Sequence, residues 1–191
     1  VSLLAPFAPI PTFADIAKLL GIPEKRRVFI SYHHRGDQAF KAVLQKLYST
    51  DYDLLEDRSL ERLLDTDDLK YVEREIREDY IKGASVTIVL CGRETSQRKF
   101  VDWEIHATLL QKSALIGLQL PTPTHAFLPW RLFDNVVSRY AVLRTWREMV
   151  ARPGILRFWI EEALQRQAAR IDNARPKMRR NGEFRVHPHH P

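Results

Sequence analysis

The stretch VTIVLCGRETSQRKFVDWEIHATLLQK, Val86 to Lys112, decides how this chain is read. It opens on an apolar run dense in β-branched residues, Val86–Leu90, closed by Cys91 and Gly92. A continuous run of that kind predicts a strand buried on both faces, as in a parallel sheet. The polar turn RETS, Arg93–Ser96, follows, and then Phe100, Trp103, Ala107 and Leu110 recur at three- and four-residue spacing. That spacing predicts an amphipathic helix, with Thr95 or Ser96 as its natural N-cap. Strand, polar turn and helix together form the unit that presents functional residues at the carboxyl end of a parallel sheet. Glu104 lies on this helix beside the apolar stripe, a place where a glutamate is ordinarily a solvated helix residue.

Outward from this unit the pattern repeats. Val28–Ser31 is a second buried-type strand, Tyr32–Gly36 the loop at its carboxyl end, and Asp37 a cap for a helix with Phe40, Val43, Leu44 and Leu47 inward. A weaker strand signal lies around Tyr52–Leu55. The charged segment Glu56–Asp68 reads as a long loop, and Leu69–Ile81 as a helix closed by Gly83. Ala114–Leu120 is a further continuous apolar strand, and a last extended segment falls near Tyr140–Leu143. A final helix places Ile155, Phe158, Trp159, Ala163 and Leu164 on one face. Alternating strands and helices predict a three-layer α/β, flavodoxin-like domain with a parallel sheet of about five strands. Ligands of such sheets sit outside the carboxyl ends of the strands. That edge would gather Tyr32–Asp37, the aspartate-rich loop and the start of the Glu104 helix.

Residues 1–25 read as an N-terminal arm, 26–172 as the domain, and 173–191 as a basic, loosely ordered tail. Of the 191 residues 45% are hydrophobic and 28% charged, ordinary for a soluble globular protein. No apolar run approaches the ~20 residues of a membrane span, and the proline-rich start lacks the leading charge of a signal peptide. The single cysteine, Cys91, ends a core strand, which leaves no disulfide framework or thiolate metal cluster, and the reading is cytoplasmic. The aspartates of DTDD (65–68) lack the ligand spacing and turn glycine of a calcium loop, so no metal is assigned. The net charge of +6 belongs to the C-terminal third: residues 131–191 hold 13 Lys/Arg against 6 Asp/Glu. Such a segment could draw nucleic acid, but a solvated helix face with a loose tail accounts for it more simply.

VFISYHHRGDQ, with its strand ending in Ile-Ser-Tyr, resembles the first strand and loop of a TIR domain. REIREDYIKGASVTIVLCGRETSQRKFVDWEI resembles more specifically the TIR-like branch that includes the Thoeris antiphage protein ThsB. There an Ile-Arg-Glu helix, a TIVL strand ending in Gly and a Trp-Glu-Ile helix follow in the same order. The resemblance covers Val28–Leu120 well, and extends more loosely through RLFDNV and the final helix to PKMRRN.

Enzymatic members of that family cleave the nicotinamide–ribosyl bond of NAD with a glutamate on the helix after the third strand, so the resemblance implies Glu104 as the catalytic residue. It further implies Ser31, Tyr32, Arg35 and Trp103 as the nucleotide pocket, with NAD as substrate and no resident cofactor. Expected products are linear, cyclic or conjugated ADP-ribose, made by a glycohydrolase or ADP-ribosyl cyclase type of activity. Expected partners are a second TIR surface and a separate nucleotide-sensing effector. A carboxylate suits this chemistry because loss of nicotinamide leaves positive charge on the ribosyl carbon. A different class stands beside it: a non-enzymatic interaction module, in which Trp103 and Glu104 are structural and the Glu56–Asp68 loop is an interface. A phospho-receiver is discounted, because it needs an aspartate where this strand ends in Leu90-Cys91-Gly92.

Overall fold

A computed structural model describes residues 25–55, 81–122 and 127–183. Its strands are β1 (Arg27–Ser31), β2 (Asp53–Leu54), β3 (Val86–Cys91), β4 (Ala114–Gln119) and β5 (Val142–Thr145). They form one sheet in the order β2-β1-β3-β4-β5, and every pairing is parallel. The helices are α1 (His34–Tyr48), α2 (Lys99–Leu110), α3 (Trp130–Val137), α4 (Trp146–Ala151) and α5 (Leu156–Gln165). This is the flavodoxin-like α/β architecture that alternating strands and helices predict. The N-terminal arm, the Glu56–Asp68 loop and most of the Leu69–Ile81 helix lie outside the described residues.

The period of two along each strand sorts the core into two layers. Val28, Ile30, Val86, Ile88, Leu90, Ile116 and Leu118 face α1, α4 and α5, meeting Leu44, Tyr48, Trp146, Met149, Trp159 and Ile160. Phe29, Val89, Cys91 and Leu115 face α2 and α3 on the other side. β3 is buried along all six residues, as its apolar run predicts, because it lies between β1 and β4 under both helical layers. Thr87, its one hydroxyl, is 2.8 Å from the Thr108 hydroxyl of α2, which in turn donates to the Glu104 carbonyl at 2.8 Å. The buried polar atom is thus satisfied.

Several local expectations are corrected. On α1 the inward positions are Asp37, Lys41, Leu44 and Tyr48, while Val43 and Leu47 are 42% and 53% exposed. The helix turns its charged pair inward because each finds company there: Asp37 takes hydrogen bonds, and the Lys41 ammonium lies over the Tyr32 ring. On α2 the stripe is not one-sided. Phe100, Val101, Asp102, Trp103, Ile105, Ala107, Thr108 and Leu109 are all buried, and Leu110 is exposed. The segment RLFDNVV is helical, and the last strand begins at Val142, two residues later than expected. α4 starts in a capping box between Thr145 and Glu148 that the sequence reading passed over. In the final helix Phe158 points outward, and Leu156 and Ile160 take its place.

Residues 173–183 are the largest correction. They are not a loose tail but a strap laid across α2 and α3. Arg131 of α3 is fully buried and pairs with Asp102 of α2 at 3.0 Å. It also donates to the Asn173 side chain at 2.8 Å and to the Pro176 carbonyl at 3.2 Å. The Met178 N–H donates to Asp102 at 2.9 Å, and the Trp103 indole N–H donates to the Met178 carbonyl at 2.7 Å. Arg175 adds an ion pair with Asp134 at 2.9 Å. Burying a charge pair is favourable only when its remaining donors and acceptors are met. The strap supplies those partners, which explains why a basic segment folds back onto the domain.

Candidate functional site

The carboxyl edge of the sheet is built by two loops, one after β1 and one after β3. Ser31 ends β1 on the α2 side and is 1% exposed. Its hydroxyl donates to Glu104 Oε2 at 2.6 Å, across 73 positions of sequence. The O–H···O distance lies at the short end of the range for such bonds. Glu104 itself is half-buried. Leu55 and Ile81, which bracket residues 56–80, pack with Phe29, Phe100 and Trp103 in the cluster beneath this helix.

Beside this pair the loops are locked to one another through Asp37. The Thr95 hydroxyl donates to Asp37 Oδ2 at 2.7 Å, the His33 N–H donates to the same oxygen at 3.3 Å, and the Gly92 N–H donates to Thr95 at 2.9 Å. Thr95 therefore does not cap α2, as its position suggested, but ties the β3 loop to the start of α1. Glycine is required at 92, since a Cβ there would stand 2.0 Å from Asp37 Oδ1. Burial raises the Asp37 carboxyl above its ordinary range, against the lowering effect of the Thr95 and His33 hydrogen bonds. Burial likewise pushes the Cys91 thiol far up, so it has no nucleophilic character.

Above the locked loops lies a cavity of about 730 Å³, bordered by His33, Arg35, Asp37, Phe40, Arg93, Glu94, Arg98, Phe100, Thr122 and Asn181. Three arginines meet there. Glu94 forms an ion pair with Arg98, and His33 Nε2 stands 3.6 Å from its carboxylate. Forked guanidinium groups suit phosphate oxygens, and carboxylates suit sugar hydroxyls, so the cavity has the chemistry of a nucleotide site.

The predicted residues divide. Arg35 borders the cavity. Ser31 is bonded to Glu104, and neither is among the residues that border the cavity. Tyr32 does not reach the cavity: it faces the other layer, packs in the α1 core, and its hydroxyl donates to Gln38 at 2.8 Å. Tyr32, the first residue after β1, turns into the layer opposite the Ser31 hydroxyl, so the two do not share one wall. Trp103 is 3% exposed and is a core residue, edge-on to Phe100 and bonded to the strap. Sequence reasoning missed Arg93, Glu94 and Arg98, which lie inside the RETS turn and its flank. Their position directly after a buried strand was the signal that could have found them. Among the described residues no group of three His, Cys, Asp or Glu side chains is arranged to hold a metal ion, and no helix is long and apolar enough to cross a membrane.

Residues 29–125, just over half of the chain, match the family model described as Thoeris protein ThsB, TIR-like domain. No curated protein matches the chain significantly. The matched span runs from β1 through β4 and includes Ser31, Arg35, Arg93, Arg98 and Glu104. With its five-stranded parallel sheet and the ordered motifs of that span, the chain belongs to the TIR-like family of the Thoeris antiphage protein ThsB.

Proposed function

We propose that the chain is an NAD-consuming enzyme that cleaves the nicotinamide–ribosyl bond, with Glu104 as its catalytic carboxylate. The observation that carries this reading is the Ser31–Glu104 hydrogen bond, which fixes an acidic side chain at the carboxyl edge of the sheet. The arginines that border the cavity at the same sheet edge, Arg35, Arg93 and Arg98, suit the charge of a diphosphate and support the reading. In the reaction the ribosyl C1′–N bond breaks, and the bonding pair leaves with nicotinamide, which departs neutral. Positive charge then develops on C1′ and the ring oxygen. A carboxylate held in place stabilises that charge more in the transition state than in bound NAD, whose positive charge sits on the pyridine ring. Addition of water at C1′, with loss of a proton, gives ADP-ribose. Addition of a nucleophile from the same molecule gives a cyclic product instead. Within a Thoeris-type defence, that product serves as a messenger to a separate effector.

The test is incubation of the protein with NAD beside Glu104→Gln, with nicotinamide and co-product followed by chromatography and mass spectrometry. Nicotinamide release that depends on Glu104 is the expected result. An equal rate from folded Glu104→Gln removes the assignment of Glu104, and no release from folded wild type favours an interaction module.

A further inference from the structure

The N-terminus of α2 is capped by residues far away in sequence. Arg98, in the capping position, contributes no side-chain hydrogen bond. Instead Asn181 Oδ1, 82 positions further on, accepts from the Lys99 N–H at 2.9 Å. The Gly182 N–H donates to the Gln97 carbonyl at 2.8 Å, and the Glu183 carboxylate accepts from the N–H groups of Arg179 and Arg180. The turn that carries Asn181 is therefore held on both sides. Below it, Met178 is fixed by Asp102 and Trp103.

The cap bond also settles which end of the amide faces where. A backbone N–H only donates, so the atom against Lys99 is the oxygen, and the two N–H donors of Nδ2 lie at the other corner of the same plane. Asn181 borders the cavity, and it borders the adjoining groove of about 390 Å³ shared with Arg93, Gln97, Arg98 and Gly182. Asn181 is exposed, so Nδ2 is open to solvent with no protein hydrogen bond among the described residues, while its own oxygen is engaged by Lys99. We infer that Asn181 is a ligand-binding residue of this pocket, donating from Nδ2 to a phosphate-bearing substrate, so that the 173–183 strap forms one wall of the site. A neutral donor has a distinct use here. Glu94 offsets part of the arginine charge, and an amide can bond a phosphate oxygen beside that carboxylate without competing for it. The identity of the substrate rests on the NAD-consuming reading; the anion-binding role of Asn181 does not.

The experiment compares wild type with Asn181→Asp and Asn181→Ala. Asparaginate-to-aspartate exchange keeps an acceptor for the Lys99 N–H, and a carboxylate at a helix N-terminus is favourable, so Asn181→Asp should fold normally. It replaces two donors with a negative charge. The expected result is a KM for NAD raised about tenfold, with the loss falling in KM rather than kcat. Calorimetry with inorganic pyrophosphate should show a similar drop in affinity, at an unchanged melting temperature. If Asn181 is only a helix cap, Asn181→Ala will lower the melting temperature while Asn181→Asp binds NAD and pyrophosphate as wild type does; that result overturns the inference. If wild type binds pyrophosphate but leaves NAD intact, the enzymatic reading fails, and the pyrophosphate comparison still decides Asn181. Wild type that binds neither ligand overturns both.

Discussion

At Glu104 one carboxylate oxygen is engaged by Ser31 at 2.6 Å. The bond fixes where the negative charge points without removing it. Glu104→Gln keeps the shape and loses the charge, and nicotinamide release should fall at least about a hundredfold, on the scale of removing one electrostatic contact to a transition state. Ser31→Ala keeps the carboxyl group and removes this one hydrogen bond to it. Its kcat should fall about tenfold, in line with the loss of one hydrogen bond to a charged group. The same assay checks both, with circular dichroism as the control for folding. An unchanged kcat in Ser31→Ala would mean that Glu104 is oriented without Ser31. At this scale the positions of Glu104 and Ser31 in the fold were legible, because each sits at a fixed offset from a legible strand, while their roles remain the proposal. Tyr32 was not legible, because the loop after β1 turns it into the core.

At the scale of elements, α2 is held by parts that its own sequence does not contain. Asp102 accepts from Arg131 on one side and from Met178 on the other. Removing Arg131 strands the buried Asp102 carboxylate without its cation, so Arg131→Leu should cost about 3–5 kcal/mol, read as a shift in the urea midpoint. This is why the helix face was misread. The apolar stripe Phe100, Trp103 and Ala107 was visible, but burial of Asp102 and Val101 depends on α3 and on a strap some seventy residues downstream. The loops at the sheet edge make a second case. The folded chain holds the Asp37 proton to higher pH than the unfolded chain does, because burial raises its pKa. Stability from this group is full below the ordinary carboxylate value of about 4 and is lost as pH rises through the raised one. Asp37→Asn has no such loss. The stability of wild type minus that of Asp37→Asn should therefore fall as pH rises through this window and then level off. Denaturant titrations at a series of pH values would show the slope, and a difference that grows with pH would contradict the placement of Asp37.

Over the whole molecule, the parallel sheet and its order were legible because β3 and β4 are continuous apolar runs, which only a central position can accommodate. The basic C-terminal third was not legible as structure. Its charge suggested a solvated tail, yet Arg131, Arg175 and Met178 serve to seat the strap. Ending the chain after Asp172 should lower the melting temperature by at least about 5 °C, since the buried Arg131–Asp102 pair then loses several hydrogen-bond partners. A midpoint equal to that of the full chain would show that the pair needs no strap.

The central place of β3 also has a consequence in time. Its residues pair with β1 on one flank and β4 on the other, beneath two helical layers, so no small local opening brings their amides to water. β2, by contrast, is two residues long and, among the described residues, pairs with β1 alone. Deuterium should therefore enter β2 within the first minutes and reach Val86–Cys91 only when the whole domain opens, making the slow amides of β3 a direct gauge of global stability.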